Sequence, residues 1–237
     1  MDIMKDEFVS TVNHELRTPL TSIHGALGLL KIKTTGRLDE KSNLLLELAH
    51  DNCERLTVLV NDILDLEKIA AGKIEYQLET VDICELVRTI VTQNATLAEG
   101  RGVALETECV IDQAFVRLDP NRFNQALVNL LSNAVRHSPE NDAIAVLVAM
   151  GDCDRVRISV ADHGPGIPED FRSKVFDRFA QADSSLTRQE GSSGLGLNIT
   201  RTLVEAFGGD VSFETETGRG TVFHFDLPIC TDKQEAA

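Results

Sequence analysis

The sequence predicts a two-part protein, in which a helical hairpin completes a four-helix bundle with a second copy of itself and is followed by an α+β sandwich. Three observations predict it. Apolar residues recur at spacings of three and four through the N-terminal third, period-two alternation appears after Gly72, and the later strands are interrupted by two strongly amphipathic helical stretches.

Taken in order, Phe8, Val12, Leu16, Leu20, Ile23, Leu27 and Leu30 mark one face of a helix running from about Lys5 to Lys33. "TTGRLD" interrupts it at 34–39, and Leu44, Leu48, Leu56, Leu59, Ile63 and Leu66 then line a second helix whose other side carries Glu47, Asn61 and Asp62. Two helices with one apolar stripe each cannot close a core alone, so a homodimer is expected. "AAGKIEY" supplies a helix stop at Gly72, which sets an all-α unit over 1–71 and a second unit over 72–230. In the second, "VALETECV", "AFVRLD", "AIAVLVAM" and "RVRISVAD" read as strands, "NRFNQALVNLLSNAVRHS" as a helix, and "GDVSFET" with "GTVFHFDL" as a closing pair around "ETGRG". Residues 231–237 are polar and read as a frayed tail.

Composition narrows the function. A formal charge of −15 over 237 residues disfavours nucleic acid, so any phosphate site must be local. No apolar run reaches the roughly 18 to 20 residues of a membrane span, and no signal peptide opens the chain. The five cysteines are scattered without a CxxC pair or a histidine at ligand spacing, which points to reduced thiols and a cytoplasmic setting rather than zinc.

Several constellations carry chemistry. Gln125, Asn129 and Asn133 recur every four residues beside the apolar stripe of Phe123, Leu127, Leu130, Leu131 and Ala134. A solvated polar face would account for them; so would Mg²⁺ coordination by neutral carbonyl oxygens, once a nucleotide's phosphates supply the charge. "DHGPGIP" at 162–168 is either a turn or a nucleotide loop, in which Asp162 accepts from an exocyclic amine such as adenine N6 while Gly164 and Gly166 let the backbone approach the base. "GSSGLGL" at 191–197 precedes a helix carrying Leu195, Ile199, Leu203 and Phe207, and its amides can cradle phosphate, although it matches neither the Walker nor the dinucleotide pattern. His14 lies two residues, about 200°, from both Val12 and Leu16, hence on the outer surface of the bundle. Pro19 lacks the N–H that would bond the carbonyl of Glu15, which predicts a mechanical weak point just below His14.

The order of these motifs is more informative than any one of them. The amide helix, DxGxG, "FDRF" at 176–179 and GSSGLGL resemble the N, G1, F and G2 boxes of the GHKL ATP-binding fold, and "NHELRTPL" at 13–20 resembles the H box of HisKA-type sensor histidine kinases. The resemblance implies a two-component kinase core in which His14 is phosphorylated from ATP and the group passes to an aspartate in a response regulator's receiver domain. It also implies that Glu15 orients the imidazole or acts as base, and that Thr18, in the ExxT pattern, serves dephosphorylation of the regulator. Asn129 would be the main Mg²⁺ ligand, Asn133 would support metal or phosphates, Asp162 would read adenine, and Gly164, Gly166, Gly194, Leu195 and Gly196 would shape the nucleotide loops. Arg136 and Arg178 would contact phosphate, His137 would stack near the base, and residues from about Gln181 to Ser193 would form a lid. The chain starts a few residues before the H box, so a sensor domain is expected to be absent from it.

Two other readings stand beside this one. A non-catalytic dimeric scaffold would bind nucleotide without labelling itself. A GHKL ATPase would release phosphate to water, against which stand the presence of His14 and an amide, Gln125, where such ATPases tend to place a glutamate base.

Overall fold

The computed structural model describes residues 19–34, 38–70, 74–181 and 194–230, which fall into two compact units divided near Ile74. In the first unit, helix α1 covers 19–34 and helix α2 covers Glu40–Ala70. Asp39 starts α2 by accepting a hydrogen bond from the Ser42 amide at 2.8 Å. The helices meet at Cys53, whose thiol reaches the Leu20 carbonyl at 3.5 Å, and at His24 and His50, whose ring centroids lie 4.6 Å apart. Ile23, Leu30, Leu44, Leu48, Leu56 and Ile63, all taken from the predicted stripes, remain exposed on this hairpin. That is the surface a bundle of only two helices leaves uncovered.

The second unit runs β1 (Glu79–Asp82), α3 (Ile83–Gln93), α4 (Thr96–Glu99), β2 (Ala104–Cys109), β3 (Phe115–Leu118), α5 (Pro120–His137), β4 (Ala143–Met150), β5 (Arg155–Asp162), a short 3₁₀ turn (Arg172–Lys174), α6 (Gly196–Ala206), β6 (Asp210–Glu216) and β7 (Gly220–Pro228). Five strands form one sheet in the order β2-β4-β5-β7-β6, parallel only between β2 and β4, while β1 and β3 pair separately. Alternation decides which side is buried. Ile144, Val146 and Val148, Val156, Ile158 and Val160, and Phe225 and Leu227 are all at or near zero exposure, as are Phe123, Leu127, Leu130 and Leu131 of α5 and Ile199, Leu203 and Val204 of α6. Phe123 meets Phe225 edge-on with ring centroids 6.0 Å apart, joining α5 to the sheet.

One difference from the sequence reading is informative. The stretch Ile83–Gln93 is a helix that the reading passed over, capped by Asp82, whose carboxylate accepts from the Cys84 amide at 3.0 Å. β5 runs through Asp162, paired opposite Thr221, over the whole of "RVRISVAD".

α5 is set by its first residue and its cap. Pro120 fixes the first turn, and the buried Asp119 accepts from the amides of Asn121 and Arg122 at 3.0 and 3.2 Å. The other carboxylate oxygen accepts from the Gln77 amide at 3.0 Å. Asp119→Ala strips three amides of one acceptor, and we expect it to lower stability by about 2–3 kcal/mol, read from denaturant melts.

On the face of the sheet away from α5, His224 Nδ1 lies 2.8 Å from Ser159 Oγ. Burial, and then the Arg157 guanidinium, hold this imidazole below its ordinary value of 6.5, against an opposing pull from Glu214 and Asp226. The unfolded chain therefore takes the proton first, and stability is lost as pH falls below 6.5 toward the depressed folded value. Melting temperature should drop on acidification from about pH 7 to about pH 5.5, and His224→Gln should flatten part of that slope. His137 contributes with the same sign, so the flattening is partial.

Candidate nucleotide and phosphotransfer site

The site in the second unit is assembled from the middle and C-terminal end of α5, the loop after β5 and the start of α6. Gln125, Asn129 and Asn133 are all half-buried on one side of α5. Asn129 Nδ2 donates to the Gly196 carbonyl at 3.3 Å and to Thr200 Oγ1 at 3.4 Å, and Thr200 Oγ1 reaches back to the Ala126 carbonyl at 3.5 Å. Both donor contacts use the amide nitrogen, which turns Oδ1 to the opposite side of the amide group. The first turn of α6 is thus tied to the middle of the amide row. A Cβ on Gly196 would stand 3.5 Å from Asn129 Cγ, so the helix start fits closely against α5.

α6 begins without a side-chain acceptor. Its cap position is Leu195, wholly buried, and its first turn carries no acidic residue. The positive end of the helix is therefore not neutralised by its own sequence, which suits an anion. Gly194 precedes it at φ +67°, where a Cβ would come within 2.8 Å of the Phe179 carbonyl carbon.

Asp162 closes β5 and is only 9% exposed. It accepts from the Gly164 amide at 2.9 Å. Burial raises its pKa above the ordinary value, and the Gly164 and Thr221 amides oppose that rise without cancelling it. At Gly164 a side chain would strike the His137 carbonyl oxygen at 2.7 Å, so the loop after β5 is pressed onto the C-terminal end of α5. The loop is also stapled to the β6–β7 turn, as the Gly218 amide donates to the Pro165 carbonyl at 2.8 Å and the Ile167 amide to Thr215 Oγ1 at 2.9 Å. Gly166, at φ +73°, sits in that staple.

Two further residues, outside the motifs, hold this geometry. Gly220 adopts φ +112° and an added Cβ would lie 1.9 Å from the Asp162 carbonyl oxygen, so any other residue would push the end of β5 away. Arg101 Nη1 donates to the carbonyls of Val135 and Arg136, closing the last turn of α5. A "GRG" turn hints at the first; nothing nearby in sequence hints at the second.

The remaining candidates divide as follows. Arg136 is half-buried and His137 exposed at the end of α5, where packing around the ring and then the charges of Arg136 and Arg101 lower the imidazole pKa. Arg178 is exposed beside Phe179, whose backbone φ is +60°. His14, Glu15 and Thr18 lie outside the described residues, as does the expected lid apart from Gln181.

Comparison with known families accounts for both units. Residues 4–72 match the His Kinase A (phospho-acceptor) domain, and residues 118–231 match the histidine kinase-, DNA gyrase B-, and HSP90-like ATPase. The chain belongs to the HisKA-type histidine kinases. Among histidine kinases it is similar to the circadian input-output histidine kinase CikA of Synechococcus elongatus, at 37% identity over 94% of this chain and 30% of that protein. It is also similar to the sensor histidine kinase WalK of Bacillus subtilis, at 33% identity over 99% of this chain and 38% of that protein. A solved structure of full-length ShkA in complex with AMPPNP superposes with a TM-score of 0.76 at 32% identity, covering 95% of this chain and 46% of that one. The chain therefore spans about a third of the curated relatives named here. As a histidine kinase core it couples a phospho-acceptor hairpin to an ATP-binding module, and no helix among its described residues is long and apolar enough to cross a membrane.

Proposed function

We propose that this core phosphorylates its own His14 from ATP and hands the group to an aspartate in the receiver domain of a response regulator. The observation that carries the ATP half is Asp162, a carboxylate nine-tenths buried at a strand end, beside a loop whose glycines leave room for a flat base. Its free acceptor capacity suits an exocyclic amine, and the resemblance assigns it adenine. Phosphates would lie toward the start of α6, with Gly194, Leu195 and Gly196 shaping the loop and Arg136 and Arg178 supplying charge. The neutral oxygen donors of Asn129 and Asn133 fit Mg²⁺, which takes an all-oxygen shell shared with phosphate and water; bound there it would neutralise phosphate charge. His137 would border the base.

In the hairpin, a neutral imidazole at His14 is a nucleophile at physiological pH, and Glu15 would hold one ring nitrogen so that the other attacks the γ-phosphorus in line. ADP then leaves, and the phosphoryl group stays on nitrogen until a receiver aspartate takes it. Gln125 cannot serve as a base, and its Oε1 already accepts from Arg122 Nη1 at 3.0 Å, which favours transfer to histidine over hydrolysis. Thr18, in the ExxT pattern with Glu15, would serve the reverse duty of dephosphorylating the regulator. The exposed apolar rows of α1 and α2 support a homodimer, with the phosphotransfer hairpin at 1–71 and the ATP-binding domain at 72–230. We place the core in the cytoplasm, under the control of a sensor.

The test is incubation with γ-labelled ATP and Mg²⁺. A label stable in alkali and lost in acid supports the proposal. ATP binding with no label on the protein overturns it in favour of a scaffold, and release of labelled phosphate without a protein adduct would indicate an ATPase.

A further inference from the structure

We propose that Cys84 and Cys109 form a peroxide-responsive dithiol, closing on oxidation into a disulfide between the start of α3 and the end of β2. The two residues come from elements that are separate in sequence and adjacent in space. Cys109 Sγ lies 4.0 Å from the Cys84 carbonyl oxygen, and Cys84 Sγ lies 3.7 Å from the carbonyl oxygen of Ile111, two residues beyond Cys109. The Cys109 sulfur thus sits against the backbone of Cys84, and the Cys84 sulfur against the backbone just beyond Cys109.

Their surroundings divide the work. Cys84 is wholly buried, whereas Cys109 is partly exposed at the end of an edge strand and can meet a small oxidant. Burial, then Cys109 and Asp82, push the Cys84 thiol up to about 11, so it is a poor first nucleophile and suits the second, resolving role. In the first step the Cys109 sulfur attacks hydrogen peroxide. The O–O bond breaks, one oxygen stays on sulfur as a sulfenic acid, and the other leaves as water with the thiol proton. In the second, the Cys84 sulfur attacks the Cys109 sulfur, the S–O bond breaks and a second water leaves, so two thiols and one peroxide give one disulfide and two waters. Because so little of Cys84 is thiolate near neutrality, the second step should quicken about tenfold per pH unit between pH 7 and 9.

The other cysteines set the contrast. Cys53 is buried in the hairpin, and Cys153 is exposed on the β4–β5 turn. Exposure alone would oxidise Cys153 first; only the pairing predicts a crosslink at Cys109.

The experiment treats the full chain with hydrogen peroxide at pH 7 and pH 9, traps sulfenic acid with dimedone and free thiols with N-ethylmaleimide, and maps peptides by mass spectrometry. A peptide pair joining Cys84 to Cys109 with two hydrogens lost, reversed by dithiothreitol and more abundant at pH 9, is expected. Cys84→Ser should leave Cys109 trapped by dimedone, and Cys109→Ser should abolish the crosslink. The proposal is overturned if the wild type carries sulfenic acid at Cys109 without linkage to Cys84 at pH 9, if Cys109 links to Cys153 or Cys230 instead, or if both thiols stay alkylatable throughout. Wild-type mapping decides the matter even if a serine variant fails to fold.

Discussion

A His14→Gln chain is expected to bind ATP as tightly as the wild type and to carry no acid-labile label, a loss of about a thousandfold or more. The size follows from the chemistry of the replacement. Glutamine keeps length and polarity but has no basic nitrogen lone pair, so nothing at that position can attack phosphorus. Proton-accepting neighbours cannot substitute, because Glu15 would form a mixed anhydride that alkali destroys, whereas phosphohistidine survives alkali and fails in acid. Titration calorimetry on the same preparation measures ATP affinity, and an unchanged value places the defect in the acceptor. Undiminished labelling of the variant would move the acceptor elsewhere and remove His14 from the mechanism.

Asp162→Ala should weaken ATP binding by about 2–4 kcal/mol, or roughly 30- to 1000-fold, because it deletes a buried anionic acceptor. The companion change Asp162→Asn separates binding from folding. Its folded-state pKa stands above the ordinary 3.8, so charging this carboxylate costs the folded state stability as pH rises from 3.8 through the raised value. Above that window the neutral amide escapes the cost. Asn should therefore bind ATP more weakly, since its NH₂ meets the base amine donor to donor in one of its two orientations, while its melting temperature at neutral pH holds or rises. A parallel fall in melting temperature and affinity would instead make Asp162 a structural residue. The Gly164 amide donates to it at 2.9 Å, so some reorganisation of that amide is built into either change.

How far the sequence could be read depended on whether a feature is local. The stripe of Phe123, Leu127, Leu130 and Leu131 defines α5 by itself, and the alternation of β4 and β7 defines the sheet, because burial on one side is written into the order of residues. α3 was missed although Ile83, Val87, Ile90 and Val91 fall at helical spacing, since its run of β-branched residues reads equally well as strand. The candidate nucleotide residues were visible because their motifs are short and ordered. What held them was not. Gly220 looks like any turn glycine until β5 is laid against it, and Arg101 finds the end of α5 across 34 positions of sequence. The contact of Asn129 with Gly196 spans 67 positions, so no pattern along the chain could show that the amide row and the Gly-rich loop meet.

The sheet has two open margins, β2 and β6, and each offers a row of backbone groups to any passing strand. Glu106 and Glu108 project from one margin, and Asp210, Glu214 and Glu216 from the other, all exposed. Two like margins brought together would set carboxylate against carboxylate, so the acidity that disfavours nucleic acid also keeps neighbouring molecules from sharing a sheet. Neutralising those five side chains would remove that repulsion from both open margins.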